Sequence, residues 1–251
     1  MYCVSGTGRY LDEARRSAES VRRHCPGIPI ALFTDGDPAA APGPWDEVRP
    51  CRPHRLERPF LSRLAAFAAT PFARTLALDT DTLVVADVSD LFRLLDRFDL
   101  AAAQLPYTRR AEPIYKAPDV PDPFTEYNCG VLLFRRTPAV TAFLAEWARA
   151  YAEDALDRPE GNDQLYFRRC LYHSDLRAAT LPHRYNVRYH WRSSGVFDDV
   201  LEHWRRWDRE QPSAILHDRR LIDYVAHGIV PRPDRRYEWA GAAAGEAGAD
   251  G

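Results

Sequence analysis

Two carboxylates separated by one residue, Asp79 and Asp81, stand at the end of the apolar run Leu76-Ala77-Leu78. Such a run reads as a buried strand, and ligands in open α/β sheets bind at the carboxyl ends of the strands. Two carboxylates on one short loop keep both charges only when a cation or several donors compensate their repulsion. A hard divalent ion does this and leaves coordination positions for phosphate oxygens. The ordinary alternative for a bare Asp-x-Asp is a pair of turn-forming or capping aspartates. The elements around the pair decide between the two.

Those elements alternate. Tyr2-Cys3-Val4 reads as a short strand running into Ser5-Gly6, and Leu11, Ala14, Ala18 and Val21 recur at helical spacing through about His24. Pro26-Gly27 ends that helix. Ile28 to Phe33 reads as a buried strand closed by Thr34-Asp35-Gly36-Asp37. The Pro-rich run from Pro38 to Pro53 is loop, with room for a strand at Glu47-Val48. Phe60 to Ala69 predicts a second helix, followed by a strand at 75–78 and an apolar stretch from Thr82 to Val85. Ser89 is placed to cap a helix from Asp90 to Arg97, and Leu100 to Ala103 is a strand. Gln104 to Tyr127 carries five prolines and no period, which predicts a long functional loop. Val131 to Phe134 is a strand, and Thr137-Pro138 opens a helix with Val140, Phe143, Leu144, Trp147 and Tyr151 on its buried side. Asn162 is placed to cap a helix from Asp163 to Tyr172, and Ala214-Ile215-Leu216 is a late strand. The alternation predicts an α/β fold with a mostly parallel sheet covered on both faces. One domain over 1–240 and a disordered tail over 241–251 follow from the absence of a linker and the Ala/Gly/Glu ending.

Composition removes other classes. The 251 residues carry 34 basic and 36 acidic side chains, a balance unlike that of a general nucleic-acid binder. Lys116 is the only lysine; arginine suits bidentate phosphate contacts, but a GC-rich genome gives the same bias, and that plainer reading carries more weight. Five cysteines without a Cys-x-x-Cys spacing predict reduced thiols rather than a zinc site or a disulfide framework. No apolar run reaches transmembrane length and no leader is visible, so a cytoplasmic protein is expected.

An ordered set of motifs extends the signal at Asp79. It comprises Ser5-Gly6-Thr7 with Tyr10, Phe33-Thr34-Asp35, Arg63, the segment from Pro71 to Thr82, and Asp90-Leu91-Phe92. It continues with Asn128-Cys129-Gly130-Val131-Leu132-Leu133-Phe134, Asp163-Gln164, Leu181-Pro182, Tyr185-Asn186 and His217. In order and spacing, from residue 2 to 218, the chain resembles the family 8 glycosyltransferases, the galactosyltransferase and glycogenin-like group. The resemblance implies a GT-A α/β/α sandwich that moves a hexose from a nucleoside-diphosphate sugar, UDP above others, to an acceptor hydroxyl with retention. It implies Asp79, Asp81 and His217 as ligands of Mn²⁺ or Mg²⁺, and Ser5, Gly6, Thr7, Tyr10, Asp35, Arg63 and Thr80 beside them around the donor nucleotide. Asn128, Asp163 and Gln164 would face the donor sugar and acceptor; Asp163 is the candidate base should the reaction invert. Two departures stand out. Ala101-Ala102-Ala103-Gln104 offers no carboxylate where the family often has one. His217-Asp218-Arg219-Arg220 replaces the family's HxxGxxKPW ending, so Arg219 or Arg220 would have to meet the leaving-group charge.

Besides a sugar nucleotidyltransferase, whose Gly-rich start Ser5-Gly6-Thr7-Gly8-Arg9 resembles only in the wrong residue order and with no basic Pro-Lys segment after it, two other readings compete. Asp79-Thr80-Asp81-Thr82 meets the DxDx[TV] motif of HAD-type phosphatases, in which the first aspartate is a nucleophile. That motif belongs on a first strand, whereas two strand-like units come first here, the only lysine, Lys116, lies in the Pro-rich loop, and Asp35-Gly36-Asp37 stands upstream rather than downstream. A non-catalytic sugar-nucleotide-binding protein is the other, against which the intact Asp79, Asp81, Gln164 and His217 argue.

Overall fold

Alternating side chains along the strands supply two apolar faces, and helices cover both. The computed structural model describes residues 1–5, 8–51, 60–105, 117–154, 163–188, 208–209, 212–217, 219 and 221–223. The strands are β1 (Tyr2–Val4), β2 (Ala31–Thr34), β3 (Glu47–Pro50), β4 (Arg74–Leu78), β5 (Thr82–Val84), β6 (Leu100–Gln104), β7 (Tyr127–Arg135), β8 (Ala178–Leu181) and β9 (Ile215–His217). The helices are α1 (Gly8–His24), α2 (Leu61–Ala68), α3 (Pro138–Asp154) and α4 (Gln164–Tyr172).

β1, β2 and β3 pair in parallel. The Met1 nitrogen donates to the Leu76 carbonyl (2.6 Å) and Leu78 N donates to the Met1 carbonyl (3.1 Å). These two bonds carry the parallel sense from β1 across to β4. β7 then runs antiparallel between β4 and β6, and β8 lies parallel on the far side of β6. The sheet is therefore mostly parallel, as the alternation of elements predicts, with β7 as the reversed strand. β5 and β9 form a separate antiparallel pair.

One face packs Phe33, Ala77, Ala102, Leu132 and Phe134 against Phe67 of α2, Trp147 of α3 and Phe167 of α4. Trp147 and Phe167 meet edge to face at 4.9 Å, a geometry that adds to the area they bury. The other face packs Leu76, Leu78, Ala101, Val131 and Leu133 against Ala14, Ala18 and Val21 of α1. The result is an α/β/α sandwich.

Several elements differ from the sequence reading. Ser89–Asp96 runs as 3₁₀ turns rather than an α-helix, and Asp87, not Ser89, supplies the cap-like carboxylate, accepting from Ser89 N at 2.8 Å. β7 begins at Tyr127, four residues before the expected strand, because its pairing with β6 outweighs the poor strand propensity of Asn128 and Gly130. β8 was not expected; its Ala178, Ala179 and Thr180 are only partly covered, as suits an outer strand. Thr137 does open α3, its Oγ1 accepting from Val140 N at 3.3 Å. Asn162, Lys116 and the tail from Gly241 lie outside the described residues. Among those described, no helix is long and apolar enough to cross a membrane.

Asp99, just before β6, ties three strands together. It accepts from Arg135 Nε at 2.9 Å, again from Arg135 Nη2, and from Arg177 N at 2.7 Å. Its partial burial opposes ionisation, but these donors outweigh it and hold the carboxyl below the usual range. A depressed carboxyl stabilises the fold above its unfolded value and loses that contribution as pH falls through the folded one. Asp99→Asn should therefore cost about 1–2 kcal/mol at neutral pH. The difference from wild type should close below about pH 4, as measured by urea unfolding at several pH values.

Candidate active site

The turn carrying Asp79 and Asp81 is fixed from three sides. β4 ends where Leu78 faces Val131, and Asp79 N donates to the Gly130 carbonyl at 2.8 Å. Thr82, the first residue of β5, closes the turn by donating its hydroxyl to the Asp79 carbonyl (2.8 Å). α1 holds the turn from above. Its Ser17 hydroxyl bonds Thr82 Oγ1 (2.7 Å), its Ser20 Oγ accepts from Val84 N (2.9 Å), and its Glu13 accepts from Thr80 Oγ1 (3.2 Å).

His217 enters from the opposite strand. It is the last residue of β9, not part of a following loop, and its register partner is Thr82. Its Nε2 lies 3.5 Å from both Asp79 Oδ2 and Asp81 Oδ1. The three ligand-type atoms lie within 4.8 Å of one another. Two carboxylates and one imidazole form a donor set that could hold a divalent metal ion.

The imidazole's tautomer is settled by a chain of amides that starts at the backbone. Gly130 N donates to Asn128 Oδ1 (3.1 Å), so that oxygen is an acceptor. Asn186 must then present its Nδ2 to it (2.9 Å), which turns Asn186 Oδ1 toward His217 Nδ1 (2.7 Å). At the other end, Gln164 Oε1 accepts from Asn128 Nδ2 (2.9 Å) and Cys129 N (3.4 Å). His217 therefore carries hydrogen on Nδ1 and aims Nε2 at the carboxylates, the arrangement a metal-ligating histidine needs.

Gly130 leaves the room for it. A Cβ at this position would lie 1.9 Å from His217 Cε1, 2.6 Å from Asp79 Oδ2 and 2.7 Å from His217 Nε2. No side chain larger than hydrogen fits, so the closeness of Asp79 and His217 depends on this glycine.

Arg63 of α2 supplies the balancing charge. It donates to Asp79 Oδ1 (2.5 Å) and to Asp163 Oδ2 (2.6 Å), and stacks 4.7 Å from the Phe60 ring centre. Burial works against ionisation of Asp79, yet Arg63 and His217 together hold its carboxyl well below the usual range. Asp81 is also depressed, with His217 and then Arg219 outweighing its burial. Burial alone would lower His217, but the two carboxylates raise it to about 9. Asp163 goes the other way: burial lifts it above the usual range despite Arg63.

The remaining predicted residues fall around this centre. Asn128 and Gln164 belong to the amide chain. Asp163, only 1% exposed, lies beneath Arg63, and its backbone carbonyl accepts from Trp147 Nε1 (2.8 Å). Ser5 and Asp35 close the ends of β1 and β2, and Tyr10 is exposed on the first turn of α1. Gly6 and Thr7 lie outside the described residues. Asp79, the nucleophile of the phosphatase reading, has one oxygen bonded to Arg63 and the other turned to His217. Sequence reasoning gave no role to Gly130 or Asn186, although both stand inside the quoted motifs. It overlooked Glu13, which is buried and bonded by Arg219 through both Nε and Nη2 (2.7 Å for the latter).

No family model matches the sequence, and no curated protein matches it. Solved structures do. The glycosyltransferase GlyE of Streptococcus pneumoniae TIGR4 superposes with a TM-score of 0.54 at 19% identity, over 86% of this chain and 53% of that one. The galactosyltransferase LgtC, solved with donor and acceptor sugar analogues, gives 0.54 at 18% identity over 86% of each chain. Mouse xyloside xylosyltransferase 1 gives 0.54 at 17% identity, covering 86% of this chain and 96% of that one. The fold is the GT-A fold of glycosyltransferases. The chain spans about half the length of GlyE, 53%. Within this GT-A fold the Asp79, Asp81 and His217 cluster sits where β4 ends and β5 and β9 begin and end, the side of the sheet on which α/β proteins bind ligands.

Proposed function

We propose that the chain is a metal-dependent glycosyltransferase moving a hexose from a nucleoside-diphosphate sugar, with UDP as the nucleotide, to an acceptor hydroxyl. The observation that carries this reading is the Asp79, Asp81 and His217 group on a glycosyltransferase fold, with the imidazole oriented for an ion by the amide chain. Those three residues would hold Mn²⁺ in preference to Mg²⁺, because imidazole suits the softer ion. Bound there, the ion supplies Lewis-acid stabilisation to a departing diphosphate.

The chain's own residues do the rest. Arg63 keeps Asp79 ionised and commits only one of its oxygens. Asn128 and Gln164 hold His217 in register through Asn186. Ser5, Gly6, Thr7, Tyr10, Asp35 and Thr80 would form the nucleotide side of the site. Retention is favoured because Asp163, the candidate base for inversion, is closed off beneath Arg63. Asp163 is thereby a positioning residue rather than a base. We place the reaction in the cytoplasm, where the five unbridged thiols stay reduced.

The test is calorimetric titration of UDP, GDP and ADP with and without Mn²⁺. Mn²⁺ should tighten binding of one diphosphate, UDP, at least about tenfold. Nucleotide binding that ignores the metal, or no nucleotide binding at all, overturns the reading.

A further inference from the structure

Three arginines act on the Asp79, Asp81 and His217 group among the described residues, Arg63, Arg219 and Arg188, and the first two have carboxylate partners. Arg63 is held by Asp79 and Asp163. Arg219 and Arg9 both bond Glu13. Arg219, expected from sequence to meet leaving-group charge, thus spends two of its nitrogens fastening the segment after β9 to α1. Arg220 lies outside the described residues.

Arg188 differs. No described carboxylate forms an ion pair with it, and its Nε, like that of Arg63, is buried without a hydrogen-bond partner. Its direction follows from backbone register. Val187 bridges Leu216 in parallel, with Val187 N donating to the Ile215 carbonyl (2.9 Å) and His217 N to the Val187 carbonyl (2.8 Å). Residues opposite each other in a parallel pair share a face, and the next residue of each strand takes the other face. Val187 and Leu216 turn into the protein interior, at 5% and 1% exposure. Arg188 and His217 therefore stand side by side on the metal face, together with Asn186, whose side chain touches His217. The charges of Arg188 and His217 are close enough to interact.

Resting on the glycosyltransferase reading above, we propose that Arg188 binds the β-phosphate of the nucleoside diphosphate beside the metal group and takes the place of the lysine that the C-terminal motif lacks. A guanidinium nitrogen buried without a partner is costly, and a phosphate is the partner the planar donors of arginine fit best. During transfer the bond between the anomeric carbon and the β-phosphate oxygen breaks, its electron pair remaining on that oxygen. The acceptor oxygen bonds to the same carbon and gives its proton to the departing phosphate. Negative charge on the β-phosphate grows as that bond breaks, so the Arg188 contact strengthens toward the transition state.

The experiment compares wild type, Arg188→Ala and Arg188→Lys by calorimetry at saturating Mn²⁺, using UDP and UMP. If GDP or ADP is the diphosphate that binds wild type, it and its monophosphate replace the uridine pair. Arg188→Ala should weaken the diphosphate at least about tenfold and the monophosphate less than about threefold, as expected for one charged contact. Arg188→Lys should recover most of the loss. Binding of Mn²⁺ alone should be unchanged or tighter, since a neighbouring positive charge is gone. Equal losses for both nucleotides, weaker binding of Mn²⁺ alone, or an unchanged diphosphate affinity would each overturn the assignment while leaving the enzyme reading intact. Failure of the wild type to bind any diphosphate would end both.

Discussion

Gly130→Ala will remove metal-linked nucleotide binding from a protein that still folds. The added Cβ would lie 1.9 Å from His217 Cε1 and 2.6 Å from Asp79 Oδ2, both far inside van der Waals contact. Neither neighbour can step aside cheaply. His217 is 3% exposed and pinned through Nδ1 by Asn186, whose own amide is bonded to Asn128. Asp79 is pinned through Oδ1 by Arg63. Two of the three proposed ligands must therefore move. The fall in Mn²⁺ affinity should reach a hundredfold or more, beyond the about 10- to 100-fold typical of losing a supporting partner. The cost in stability should be only about 1–3 kcal/mol, as for one extra methyl in a packed site. Mn²⁺ titration and thermal unfolding read the two effects separately. Wild-type metal affinity in the folded variant would mean that these three side chains are not the ligand set.

Arg63→Met should destabilise the protein by about 3–5 kcal/mol, because it strands a buried carboxylate. Asp163 is 1% exposed and loses its charged partner, while Asp79 loses one of its two compensating cations. The methionine keeps most of the volume between Phe60 and Phe67, over which the guanidinium now stacks. The loss is therefore electrostatic rather than a cavity. The pH dependence has a definite sign. Burial already raises the Asp163 carboxyl, and without Arg63 it rises further, so the folded variant binds a proton that the unfolded chain releases. Folding that takes up a proton is favoured as pH falls, so the penalty should shrink on going from pH 8 to pH 5. Adding Asp163→Asn should recover part of it at pH 8. Urea unfolding of the single and double variants at both pH values checks this. A penalty independent of pH and untouched by the second substitution would show that Asp163 is not the group left unpaired.

The local pattern of α1 shows how far sequence carries. Ala14, Ala18 and Val21 announce an amphipathic helix, and they do face the sheet. Glu13, Ser17 and Ser20 flank that stripe and as polar side chains are ordinarily left to solvent, yet all three are buried. Their partners Thr80, Thr82 and Val84 arrive more than sixty residues later in the chain, and no local window contains both ends. The spacing of those polar residues at i, i+4 and i+7 beside the apolar stripe was the one available signal. Glu13 was overlooked because a helix carboxylate is ordinarily solvated.

β7 and β8 failed for a different reason. Asn128 and Gly130 are weak strand formers, and only the ladders to β4 and β6 hold them extended. β8 is an outer strand with little apolar alternation to read.

The sequence by itself determined the α/β class, the strand that presents Asp79 and Asp81, and the charge logic that calls for a cation between them. These depend on neighbours within a few residues, where periodicity and charge repulsion act. Tertiary structure alone decided that His217 closes the cluster from β9, that Gly130 makes the space, that Arg219 is a strut, and that Arg188 faces the cluster with no ion-pair partner among the described residues. Each of those depends on which atoms strand register brings together from distant parts of the chain, and register is set by packing of the whole sheet.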